Sequence, residues 1–331
     1  MHIPENFISP STCAVMGAAM APVWAAAVKK VRKEVTKEKL PLLGIGAAFS
    51  FIIMMFNIPL PGGSTGHAVG GTLLAILLGP WSACISVTIA LLIQALMFGD
   101  GGILAFGANC FNMAFVLPFI GYFVYKFIRN IFKSDKGEYF GIILGSYIGL
   151  NFAALFTAIE FGIQPLLFKS AEGLPLYFPY DLTYTLPPML ISHLLVAGVV
   201  EAAFTAAVYM FIKKVSPGII YKEKAAGSKP LYVIITGLIC LAPIGLLASG
   251  TAWGEWGIDE IKELTVGGKA LGFVPEGIKN GFSFKSIMPD YSVNGFSQAV
   301  GYILAACAGV AVSIIIFKIA GHIRKERTED V

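Results

Sequence analysis

The sequence predicts an all-α polytopic membrane protein. About nine transmembrane helices are expected in a seven-plus-two arrangement, with the N-terminus outside and the C-terminus cytoplasmic. Composition is the first reason. Of 331 residues, 56% are hydrophobic and 13% charged, about half the charge of a soluble globular domain. Mean hydropathy is +0.76. Patterning is the second. Apolar runs lie near 11–28, 40–57, 68–97, 109–128, 139–161, 185–212, 231–249 and 298–320, and a helix needs about 20 such residues to cross a bilayer. The third is that Lys and Arg cluster at 29–39, 126–136, 213–229 and 318–327.

The first run is followed, not preceded, by Lys29, Lys30, Arg32 and Lys33. A secretory signal has the opposite order, so this run is read as a retained span. The third run, 68–97, is too long for one untilted helix and too short for two full ones. Its "LLGPWSA" stretch places Gly79-Pro80 in the middle, and that pair punctuates helices. The positive-inside rule decides. One span would put the first two basic clusters on opposite faces, whereas two spans turning at Gly79-Pro80 make all four clusters cytoplasmic. Loops 58–67, 98–108, 162–184 and 250–297 are then external. The chain divides into a seven-helix domain at 1–215, a cytoplasmic linker at 216–230, and a two-helix part at 231–331 enclosing external loop 250–297. Within that loop "WGEWGIDEIKEL" (253–264) reads as an interfacial helix, with Trp253 and Trp256 at the headgroups.

Several functions are excluded. A net charge of +4 is too small to suggest nucleic acid. Cys13, Cys84, Cys110, Cys240 and Cys307 form no CxxC pair, which argues against a disulfide framework or zinc cluster and for small buried hydrophobes. The glycine-rich stretch 61–71 lacks the Lys-Ser/Thr ending of a phosphate loop, and HExxH and GxSxG are absent. The chain is therefore not read as an enzyme, and it does not hydrolyse ATP by the P-loop route.

Polar residues at bilayer depth are costly and mark sites. Asn57, His67, Gln94, Asp100, Asn109, Asn112, Glu160 and His193 all fall near outer span ends and are expected to face one external cavity. Glu201 lies deeper and reads as structural.

The N-terminus, "MHIPENFISPST", adds chemistry. A histidine in second position is a chelator: the terminal amine, the His2 amide nitrogen and His2 Nδ1 close fused five- and six-membered rings around one metal. A fourth donor completes a square, which suits Ni(II) and Cu(II), with Co(II) a weaker match. An α-amine, ordinarily of pKa about 7.7–8.0, loses its proton readily to a bound metal. His67, on the same face, is the natural fourth ligand, and apolar Ile3, Phe7 and Ile8 would hold the arm down. Other readings stay open at this point. One takes His67 and His193 as axial ligands of a membrane haem or redox protein, and another takes His67, His193 and Glu160 as zinc ligands of a metallo-enzyme.

"MHIPENFISPST", "STGHAVGGTLLAILLGPW" (64–81) and "QALMFGDGGILAFGANCFNMA" (94–114) resemble the CbiM/NikM family over roughly residues 1–215. These are substrate-capture subunits of energy-coupling-factor transporters for cobalt and nickel. The resemblance implies metal ligation by the Met1 amine, the His2 amide and Nδ1, and His67. It implies Ni(II) or Co(II) as substrate, no cofactor, and a prokaryotic plasma membrane location. It also implies a transmembrane coupling subunit and cytoplasmic ATPases as partners. "LAPIGLLASGTAWGEW" (241–256) and "MPDYSVNGF" (288–296) resemble the small accessory N subunit, here fused, although "MPDYSV" departs from the PDGLE form. Such fusion favours nickel. Small residues Ala14, Gly17, Ala18, Ala21 and Ala25 make a small-xxx-small face, which is expected to pack either on the coupling subunit or internally. Asn57, Gln94, Asn109, Asn112 and His193 are expected to support the ligands.

Overall fold

The computed structural model describes residues 1–36, 39–220, 228–248, 250–266 and 269–329. The helices are α1 (Pro10–Glu34), α2 (Leu40–Met54), α3 (Gly71–Leu78), α4 (Pro80–Phe98), α5 (Phe106–Ile131), α6 (Asp135–Leu167), α7 (Leu182–Val215), α8 (Lys229–Leu247) and α9 (Gln298–Glu329). Among the described residues, seven helices are long and apolar enough to cross a membrane, and α2 is a shorter apolar helix. The eight residues of α3 rise only about 12 Å, so by length it is a half-helix and not the full crossing that nine spans would need. Most of the 216–230 linker, 221–227, lies outside the described residues.

The break at Gly79 falls where the sequence put it. Gly79 has φ 92° and ψ 152°, which ends α3 and starts α4 at Pro80, the first helical position where proline fits. Ahead of α3, residues 55–70 form no helix. They contain a hairpin of β1 (Ile58–Leu60) on β2 (Ser64–Gly66), antiparallel with Ile58 opposite Gly66. Irregular backbone inside a membrane protein must be satisfied by protein groups, and here it is. Ser50 Oγ donates to the Val69 carbonyl at 2.8 Å, and the Glu201 carboxylate accepts from Val69 and Gly70 N–H.

Described members of the four basic clusters lie toward one end. Glu34, Val35 and Lys39 share a cavity with Leu78, Ser82 and Ile219. Arg32 shares another with Phe317 and Ile323. Lys213 bridges Asp135 at 3.2 Å. At the opposite end the N-terminal arm, the hairpin, loop 99–105, loop 168–181 and the 250–297 segment pack together. Ile3 O accepts from Gly102 N–H, Phe7 O from Phe178 N–H, and Met97 O from Met288 N–H.

Two expectations change. The 253–264 stretch is not one interfacial helix, because only Ile258–Glu263 is helical. Trp253 and Trp256 instead join an aromatic cluster with Phe178 and Tyr180, where stacking and apolar burial outweigh a headgroup position. Of the cysteines, Cys13, Cys84 and Cys110 are buried, but Cys240 and Cys307 are exposed on their helices.

Candidate metal centre

The N-terminal arm is built into the protein. Met1, His2, Ile3, Phe7 and Ile8 are all at most 5% exposed. Each large apolar side chain so buried contributes about 1.5–3 kcal/mol, enough to dock a terminus that would otherwise fray. Polar groups fix its register. Asn109 accepts from Ile3 N–H at 2.7 Å and donates to Ile3 O at 3.1 Å. The Glu5 carboxylate accepts from Ile103 and Leu104 N–H. Ser9 Oγ accepts from Thr12 N–H and caps α1, while its own N–H donates to Gln164. Pro10 then opens α1 at a position needing no N–H, so residues 1–9 stay out of the helix.

This arm places His2 against His67. His2 Nδ1 and His67 Nε2 are 3.3 Å apart, with ring centroids at 5.1 Å. His67 Nδ1 faces the Ala68 carbonyl at 3.1 Å. A carbonyl only accepts, so the proton sits on Nδ1 and the Nε2 lone pair points at His2. Burial, then the charges of His2 and the terminal ammonium, hold the His67 pKa well below the ordinary histidine range, so the ring is neutral at physiological pH. Nitrogens about 2.0 Å from a metal lie about 2.8 Å apart when adjacent in a square. The 3.3 Å gap needs only a small contraction to become one edge of that square.

Acidic and neutral groups surround the nitrogens. The Met1 ammonium pairs with Glu255 at 3.1 Å, and His2 Nδ1 lies 3.3 Å from Asp100 Oδ1. The other His2 nitrogen, Nε2, is 3.3 Å from Gln94 Oε1. Gln94 donates to Asp100 Oδ2 and to the Tyr291 hydroxyl, and that hydroxyl donates to Asp100. Burial, with the Asp100 charge added, raises the Tyr291 pKa and keeps it a hydroxyl. Tyr291 has φ 56°, a left-handed conformation unusual for an aromatic residue. Its ring stacks on Phe98 at 4.7 Å, which holds it there. His2, His67, Phe98, Asp100, Glu255 and Tyr291 line a cavity of about 570 Å³ at the arm's end of the molecule.

The predicted residues divide. His2, His67 and Asn57 line the cavity, and Gln94 and Asn109 touch the arm directly. Asn112, Glu160 and His193 are not among the lining residues. Asn112 donates to Glu160 and Thr157, and His193 Nδ1 is 2.7 Å from the Met189 carbonyl. Facing an outer end in sequence did not determine which side of the helix each occupies. Three of the polar residues lie on π-helical turns, Gln94–Phe98, Cys110–Val116 and His193–Ala197, which insert a residue and often mark functional positions. Glu255 and Tyr291 were missed, because both sit in a loop whose path the sequence leaves open. Ala14, Ala18, Ala21 and Ala25 are exposed along α1, while Gly17 packs against Gly107 of α5.

The C-terminal part touches this centre directly. Besides Glu255 and Tyr291, Trp253 N–H donates to Ser64 Oγ at 2.7 Å and Thr65 pairs with Ala252.

The chain is similar to known metal transport proteins. The family model described as cobalt uptake substrate-specific transmembrane region, CbiM, matches residues 2–219. The PDGLE domain matches residues 229–326. The chain is 48% identical over 325 residues to the probable fused nickel transport protein LarMN of Lactiplantibacillus plantarum, covering 97% of this chain and 98% of that one. It is 42% identical to the fused nickel transport protein NikMN of Rhodobacter capsulatus, covering 95% of each. A crystal structure of a truncated transition metal transporter superposes with a TM-score of 0.62 at 56% identity, over 65% of this chain and 99% of that one.

Proposed function

This chain belongs to the CbiM family, as a multi-pass membrane protein carrying a fused PDGLE domain, and from that premise we propose that it captures Ni(II) at the external face for ATP-driven import. One observation carries the reading: Met1, His2 and His67 are all buried, with the Met1 amine on Glu255 of the cavity wall at 3.1 Å and the two imidazole nitrogens 3.3 Å apart. Amine, His2 amide and His2 Nδ1 supply three nitrogens in a plane, and His67 closes the square. Nickel is proposed over cobalt because four planar nitrogens suit Ni(II) better and because fused relatives are named for nickel transport.

Capture has an order set by the contacts. The metal displaces the Glu255–ammonium pair and the Asp100–His2 contact as the amine and amide lose their protons. Two carboxylates beside the incoming dication supply favourable charge. The 250–297 segment covers the site, since it provides both Glu255 and Tyr291. Transport proper is assigned to the whole complex. A coupling subunit docks on the exposed alanine face of α1, and cytoplasmic ATPases drive the reorientation that lets nickel leave inward. The N-terminal, external end faces outside and the four basic clusters face the cytoplasm, in accord with the positive-inside rule.

The test is competition binding of Ni(II), Co(II) and Cu(II) to the intact chain in detergent, followed by uptake in vesicles with the coupling and ATPase subunits. Expected is nickel binding without ATP and nickel accumulation only with ATP and both partners. Binding of none of the three metals would refute the proposal.

A further inference from the structure

The metal ligand His67 lies four residues before Gly71, the first residue of the half-helix α3, and that half-helix starts inside the protein. The first N–H groups of any helix lack intrahelical partners. Here the N-cap is Gly70, which has no side chain to supply one. It cannot readily be replaced by a capping residue. Its φ is 73°, and a Cβ would stand 2.8 Å from the Phe49 ring. The missing acceptor comes from another helix. Glu201, fully buried in the middle of α7, accepts from Val69 N–H at 2.7 Å and from Gly70 N–H at 3.0 and 3.2 Å.

We infer that Glu201 is a positioning residue for the metal site, one that fixes the depth and direction of the His67 imidazole by clamping Val69 and Gly70. The inference rests on the reading of His67 as a nickel ligand. The chain of contacts is short. Glu201 holds residues 69 and 70, and His67 Nδ1 bonds the Ala68 carbonyl within the same tight segment. The imidazole therefore moves with the clamp. On the other side Ser50 Oγ also ties this segment, donating to the Val69 carbonyl. A carboxylate at a helix N-terminus is additionally favoured by the helix dipole. Outer partners that orient a metal ligand in this way typically contribute 10- to 100-fold to affinity.

The experiment compares wild type, His67→Ala, Glu201→Ala and Glu201→Gln as intact chains in detergent. Nickel titration calorimetry and the optical spectrum of the bound ion are recorded with and without free imidazole. Glu201→Ala is expected to weaken nickel binding by about 10- to 100-fold and to lose the four-nitrogen planar spectrum, as His67→Ala does. Free imidazole is expected to restore that spectrum in both, because it fills the vacated fourth position. A merely structural loss would not be restored in this way. Glu201→Gln keeps the volume and one acceptor, and is expected to fall between wild type and Glu201→Ala. It decides the matter if Glu201→Ala does not fold. Wild-type affinity and spectrum in Glu201→Gln or Glu201→Ala, or loss without imidazole rescue, would overturn the inference. Unchanged binding in His67→Ala would instead overturn the underlying site.

Discussion

Extending the chain by two glycines before Met1 isolates the role of the terminal amine. Two residues are needed, because a histidine moved only to third position is itself a four-nitrogen chelator. With two, His2 becomes the fourth residue and Met1 N becomes an amide. The new amine is displaced by up to about 7.6 Å along the chain. The seat cannot absorb this, since Met1 is 5% exposed and its nitrogen already meets Glu255 at 3.1 Å. The chelate rings anchored on the amine are lost, leaving His2 Nδ1 and His67 Nε2 as the remaining strong nitrogens. Losing a supporting contact costs a metal site 10- to 100-fold, and losing a direct donor exceeds that. Nickel affinity should therefore fall by more than about 100-fold, or about 2.7 kcal/mol. Titration calorimetry on the purified protein reads this directly. Affinity within threefold of the unextended chain would refute amine ligation.

Other perturbations read neighbouring parts. Asn109→Ala leaves the Ile3 N–H unpaired while Ile3 O keeps Gly102. That costs about 1–3 kcal/mol, so nickel affinity is expected to drop with helical content unchanged, and calorimetry beside circular dichroism would show it. Gly70→Ala demands a left-handed alanine, costing about 1–2 kcal/mol, and forces a contact on Phe49; both thermal midpoint and nickel affinity should fall. Binding should release two protons per nickel, one from the amine and one from the amide, measurable from calorimetry in buffers of different ionisation heat. His67 releases none because its lowered pKa leaves it neutral. Acid therefore weakens binding through the amine and amide, while His67 protonation enters only well below about pH 6.5. Folded stability also declines as pH falls through about 6.5, because unfolding lets His67 take up a proton that the folded site refuses.

Much of the candidate site was legible because the proposed chelation is local chemistry. Met1 and His2 are neighbours, and their ring sizes follow from covalent structure alone. His67 could be paired with them because both lie at the same end of their spans. The Gly79-Pro80 break was legible for a similar reason, since backbone preference and charge placement agreed. What stayed hidden depended on rotation and on long loops. Asn112, Glu160 and His193 share an outer depth with Gln94, yet π-turns and helix rotation give them other partners. Glu255 reaches the Met1 amine across more than 250 residues of chain and Tyr291 reaches Gln94 across more than 190, and no periodicity predicts such contacts. Glu201 read as structural from depth alone, and only its bonds to Val69 and Gly70 connect it to His67.

The most direct test of square-planar capture is X-ray absorption at the nickel edge of the loaded, purified chain. Four nitrogen donors near 2.0 Å with the signature of planar coordination are predicted, together with loss of one nitrogen in His67→Ala. A six-coordinate shell dominated by oxygen, unchanged in His67→Ala, would contradict it.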